Sequence, residues 1–87
     1  MIRIWAKVIK EEKILKSFIY EKPEKFDFEL FFDYVSEICE KMDVCTPIIL
    51  SKHIYHYVNF NTTIFSASDF PEPVDFDRFV LEEASNY

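Results

Sequence analysis

The chain has 87 residues, with sixteen acids against ten bases, a formal net charge of −6, and no glycine. That length leaves room for one domain spanning 1–87, and 49% hydrophobic with 18% aromatic residues is too many for a disordered chain. The missing glycine excludes GxGxxG dinucleotide loops, Walker A loops, nucleophile elbows and EF-hand loops, each of which needs a residue without a Cβ at a fixed position.

The charge balance excludes more. Bases are spread singly, so a phosphate backbone is repelled and no nucleic-acid partner is expected. No apolar run approaches the roughly 18 to 20 residues that span a bilayer, and the opening MIRIWAKVIK has neither a signal h-region nor a cleavage site. No membrane association is expected, and the location read from this is cytoplasmic. Cys39 and Cys45 have neither CxxC spacing nor the count of a secreted scaffold, so they read as free thiols in a reducing compartment.

Residues 2–9 and 14–21 read as a β-hairpin around Lys10-Glu11-Glu12-Lys13. If Ile9 faces Ile14, strict alternation puts Ile2, Ile4, Ala6, Val8, Leu15, Ser17 and Ile19 on the core face. The other face then carries Arg3, Trp5, Lys7, Ile9, Ile14, Lys16, Phe18 and Tyr20, with Trp5 opposite Phe18. The turn lacks Gly, Asn and Asp, so a tight I′ turn is not expected and the alternatives are a longer loop or a shifted register. Trp5, Phe18 and Tyr20 could stack bases, as sheet aromatics do in some RNA-binding domains, but the charge opposes it. Cover by the second helix or by another copy of the chain is the preferred reading, which makes these three residues interface candidates.

Pro23 breaks the second strand, and Asp27 is placed to cap a helix running to about Met42. Phe28, Phe31, Phe32, Val35, Ile38, Cys39 and Met42 recur at the spacing of one buried stripe. The opposite side presents Glu29, Asp33, Glu37 and Glu40 with only Lys41 as a helical counter-charge. Like charges at i, i+4 cost a few tenths of a kcal/mol each, so this stripe is either a solvated face or a surface retained for a partner.

Pro47 to Leu50 reads as a short buried strand or an extended loop. Ser51 is a good N-cap for a short helix to about Phe60 with Ile54, Tyr55 and Val58 inward, although the same run also alternates like a strand. Thr62 to Phe65 is β-prone, Ser66 to Pro73 is turn-like, and Phe76 to Glu83 reads as the last strand. The expected class is α+β: an N-terminal hairpin and one main amphipathic helix on a small mixed or antiparallel sheet, in the order β-β-α-β-(short α)-β. That order resembles a β-grasp, ubiquitin-like arrangement.

Sites for chemistry are thin. His53 and His56 form HxxH without the adjacent glutamate of a zincin, and a metal would have to borrow Asp69, Asp75, Asp77, Cys39 or Cys45 from elsewhere in the fold. Ser51, His53 and Asp69 can be written as a catalytic set, yet no oxyanion-hole motif accompanies them. Cys45 is the better nucleophile candidate, since Cys39 lies on the buried stripe. In the stretch VDFDRF, a strand would put Asp75 and Asp77 on one side, where they would suit Mg²⁺ or Ca²⁺ or form a water-screened rim; the rim is preferred. No catalytic residue, metal or cofactor is assigned.

Ile4-Trp5 in the first strand, Thr62-Thr63-Ile64-Phe65, Asp69-Phe70, Glu72, Val74 and the phrase Phe76-Asp77-Arg78-Phe79 carry a resemblance. The chain resembles a set of short uncharacterised proteins from Gram-positive anaerobes, which open on a similar Ile-Trp strand and close on a Val-x-Phe-Asp-Arg-Phe phrase. No activity, cofactor or catalytic residue follows from it. The function expected is a non-enzymatic protein–protein interaction module that binds a protein partner or forms a homodimer through the hairpin face or the acidic helix stripe. The alternative is a small metal-binding protein or hydrolase using His53 and His56 with Asp69, Asp75 and Asp77.

Overall fold

The structure, a computed structural model, describes residues 1–84. Strands β1 (Ile2–Lys10) and β2 (Lys13–Lys22) form the expected hairpin, but their turn is tight. Only Glu11 and Glu12 separate the strands, with φ of 51° and 67°, the left-handed pair that a type I′ turn needs and that glutamate does not favour. The longer loop expected from the absence of Gly, Asn and Asp is therefore not formed. A partner outside the hairpin holds the turn: Asp77 Oδ2 accepts the Glu11 N–H at 2.8 Å, and the Asp77 N–H donates to the Ile9 carbonyl at 2.9 Å.

Ile9 pairs with Ile14, as expected, and the register then slips. Leu15 has no partner, Val8 pairs with Lys16, and Trp5 lies opposite Ile19 rather than Phe18. One bulged residue sends every later side chain of β2 to the other face. Phe18 and Tyr20 consequently join the core side beside Ala6 and Ile4, while Ser17 and Ile19 turn outward, the reverse of strict alternation. The β1 assignment stands, with Ile2, Ile4, Ala6 and Val8 all buried.

Asp27 caps as expected, its Oδ1 accepting the Glu29 N–H at 3.0 Å. The turn it caps is a 3₁₀ turn, Phe28–Leu30, followed by α1 (Phe31–Met42). A 3₁₀ turn advances about 3.0 residues per turn against 3.6, so the apolar stripe loses its phase at its start. Phe31, Tyr34, Val35, Ile38, Cys39 and Met42 are buried, whereas Phe28 and Phe32, expected in the stripe, are 57% and 58% exposed. The helix ends on Asp43, left-handed at φ 58°, whose N–H closes on the Cys39 and Glu40 carbonyls.

Residues 47–50 form no strand; Pro47 is buried, and Ile48 and Leu50 are exposed. Helix α2 (Ser51–Phe60) follows, so the rival strand reading of this run is not realised. Its N-cap is Leu50 rather than Ser51: the Leu50 N–H donates to His53 Nδ1 at 2.9 Å, a bond that turns the imidazole inward. His53 and Tyr57 are then the buried residues of α2, Ile54 is half-buried, and Tyr55 and Val58, expected inward, are exposed. Strand β3 (Thr62–Ser66), a 3₁₀ turn (Ala67–Asp69) and β4 (Arg78–Glu83) complete the chain. Because β4 starts at Arg78, Asp75 and Asp77 precede the strand instead of alternating along it.

The domain is α+β, with a four-stranded antiparallel sheet in the order β2-β1-β4-β3. Both helices lie on one face. The core joins Ile2, Ile4, Ala6 and Val8 of β1 to Phe65, Phe79 and Leu81 across the sheet and to Phe31, Tyr34, Val35 and Ile38 of α1 above it. Phe31, Phe65 and Phe79 are wholly buried, worth about 1.5–3 kcal/mol each. No helix among the described residues is long and apolar enough to cross a membrane.

Candidate interaction surfaces

His53 is the most constrained polar residue. Its Nδ1 accepts the Leu50 N–H, so the proton of the neutral ring sits on Nε2, which points at Asp69 Oδ2 from 3.6 Å, beyond hydrogen-bond range. The ring lies against Phe65 with centroids 4.2 Å apart. Burial holds the imidazole below its ordinary pKa, helped by Lys52 and His56 and opposed by Asp69. Burial alone would raise Asp69, yet the Ser66 N–H at 2.9 Å, the Ser66 hydroxyl at 3.2 Å and His53 keep it below the usual carboxylate value.

That arrangement does not make a nucleophile. Ser51, the serine of the expected set, is exposed at the start of α2 and makes no hydrogen bond to His53 among the described residues, the Ser66 hydroxyl is bonded to the carboxylate, and the imidazole is sealed from solvent, so the order Ser–His–Asp is not assembled. His56 lies exposed on α2 with its ring 5.9 Å from Phe60, and Asp77 is engaged with the hairpin turn. Of His53, His56, Asp69, Asp75 and Asp77, the fold brings together only His53 and Asp69. Among the described residues no group of three His, Cys, Asp or Glu side chains converges on a metal-sized point. Burial, with Cys45 nearby, pushes the Cys39 thiol up to about 12, which leaves no thiolate at neutral pH.

The acidic stripe divides. Glu37 is an internal brace: its Oε2 accepts the Tyr20 hydroxyl at 2.5 Å and lies 3.5 Å from Lys22 Nζ. The Tyr20 bond is the main cause of a lowered Glu37 pKa, with Lys22 adding to it against some desolvation, while burial and then Glu37 raise the Tyr20 phenol. Phe18 and Tyr20 thus belong to the contact between β2 and α1 and are not available beside Trp5. Glu29, Asp33 and Glu40 stay exposed, and their carboxylates make no ion pair among the described residues.

Asp33 and Glu40 line a shallow hollow with Lys22 and Glu37, whereas Glu29 follows Phe28 at the edge of an apolar groove that composition and spacing did not point to. Phe28, Ile54, Tyr55 and Val58 line a shallow cavity of about 380 Å³, and Val58 joins it to a second of about 280 Å³ walled by Met1, Ile2, Phe26 and Tyr57. These are largely the residues expected in the core. The missed signal is compositional: α2 carries Ile54, Tyr55, Tyr57, Val58 and Phe60, more apolar side chains than one helical face can bury.

The opposite face of the sheet is uncovered by any described element. Trp5 sits there with Lys7 Nζ 4.1 Å from its ring centroid, next to Ile19 and in line with Glu82 and Thr62. No family model, no curated protein and no solved structure matches the chain. The likeness to a β-grasp is one of element order alone.

Proposed function

We propose that the protein is a non-enzymatic protein–protein interaction module that takes up an amphipathic, basic segment of another protein in the groove between the 3₁₀ turn at Phe28 and helix α2. The observation that carries the reading is the exposure of Phe28, Tyr55 and Val58 around one cavity, with Glu29, which follows Phe28 in the 3₁₀ turn, making no ion pair among the described residues. Contiguous apolar surface on a small domain mostly marks a binding site. A helix laid in such a groove buries its apolar anchors at i, i+3/i+4 and i+7. Glu29, one residue beyond Phe28, then meets the partner's lysines or arginines at the rim, where it sets association rate and specificity more than affinity.

The test is selection of binders from a library of helical peptides displayed against the full chain. Enriched sequences should alternate apolar anchors with Lys or Arg. Their binding should weaken as salt rises, because the rim contacts are screened, and should fall about tenfold or more in Tyr55→Glu and Val58→Glu variants that keep the wild-type circular dichroism. Peptides without basic bias, or binding indifferent to both substitutions, would contradict the reading.

A further inference from the structure

We infer that the uncovered sheet face is a self-association surface on which a second copy of this chain packs, sheet against sheet, leaving both helix grooves free. Three observations carry it. The face is apolar at its centre, with Trp5, Ile9, Ile14, Ile19, Val80 and Ile64 lying in adjacent rows across the four strands. Ile14, Ile19 and Ile64 are exposed, although each stands in a strand where a polar residue would cost nothing.

The charges on this face distinguish a second copy from another occupant. The chain carries −6 overall, but here Arg3, Lys7 and Arg78 stand against only Glu21 and Glu82. Arg3 Nη2 meets Glu21 Oε2 at 2.7 Å and Lys7 Nζ meets Glu82 Oε1 at 3.4 Å, so two of the three bases are paired on the face and Arg78 leaves it one positive charge. A basic partner finds no complement here, and a nearly neutral surface lets two copies of an acidic chain meet with little like-charge repulsion. Stacking on it also puts the acidic helix sides at opposite ends of the pair, beyond the ~8 Å range of unscreened repulsion at physiological salt.

Size permits it. Four strands at about 4.8 Å spacing and roughly seven residues of length make a plane of about 19 by 23 Å, on the order of 900 Å² over two copies before side-chain relief. That falls just below the roughly 1,000 Å² of stable interfaces, so a weak, transient, isologous dimer is expected, with the sheets about 10 Å apart.

The experiment is analytical ultracentrifugation of the full chain from about 1 μM to about 1 mM, with fluorescence read on the same samples. Trp5 is the chain's single tryptophan and lies in the proposed contact. Dimer should form with rising concentration and shift Trp5 emission to the blue. Ile19→Glu and Ile64→Glu, both at exposed positions, should each weaken it about tenfold or more while keeping the wild-type circular dichroism. Salt should strengthen the dimer, since it screens the net repulsion, whereas it weakens peptide binding in the helix groove. A monomer at the highest concentration overturns the inference. A dimer indifferent to both substitutions, joined by the free edge of β2 or by the helix side, overturns it equally.

Discussion

The Asp77 carboxylate accepts the backbone N–H of Glu11 at 2.8 Å and so ties the loop before β4 to the tip of the first hairpin. The two residues are 66 positions apart, and the bond settles the stretch VDFDRF as a structural clasp at Asp77. Glu11 and Glu12 both pay for positive φ, about 1 kcal/mol each, which makes an external acceptor worth having. Asp77→Ala should destabilise the fold by about 1 kcal/mol in urea titration. Replacing Glu11-Glu12 by Asn-Gly should stabilise it by a similar amount and reduce the cost of Asp77→Ala, because the turn then needs less help. Additive effects of the two changes would show that the clasp does not act on the turn.

Acid should weaken the protein through His53. Its folded pKa is lowered by burial, while the unfolded chain titrates near 6.5, so below that pH the unfolded state binds the proton that the folded state refuses. Stability is complete above about pH 6.5 and is lost as pH falls toward the folded value, with a slope of at most about 1.4 kcal/mol per unit. The lowered carboxyls of Glu37 and Asp69 act elsewhere: their stabilisation is lost only below about pH 4.3. Urea midpoints between pH 8 and 5.5 should fall for the wild type. They should stay flat for His53→Leu, which starts lower because Leu50 N–H loses its acceptor. Parallel slopes in both proteins would place the titrating group elsewhere.

Two adjacent phenylalanines should behave oppositely. Phe31 is wholly buried and Phe32 is largely in solvent. Phe31→Ala should cost about 3–5 kcal/mol and Phe32→Ala no more than about 0.5 kcal/mol, as thermal and urea unfolding can measure. Comparable losses would mean that α1 is rotated from the orientation described.

What could be read from the residues, and what could not, follows from how local the cause is. The α+β class, the hairpin, α1 and the burial of Ile2, Ile4, Ala6 and Val8 rest on periodicity, which a sequence displays. The exchange of faces in β2 rests on one bulge at Leu15, next to a turn that Asp77 holds from the far end of the chain. The exposure of Phe28 depends on a single 3₁₀ turn that breaks the phase of the stripe, while Phe32, within α1, stands about 100° round the helix from buried Phe31. In α2, His53 displaced the expected inward residues because a backbone N–H needed its Nδ1, a tertiary reason with no pattern in the string. The acids of the stripe were visible, but the pairing of Glu37 with Tyr20 required the bulge to be known first.

The proposed partner site is the helix-side groove. The most direct measurement is a titration of the isotopically labelled full chain with a selected basic helical peptide, followed by backbone amide chemical shifts. The shifts should concentrate at residues 26–33 and 51–60, leaving those of β1 and β2 near Trp5 and Ile19 unmoved. Perturbation centred on the open sheet face, or spread without focus over the acidic surface, would contradict it.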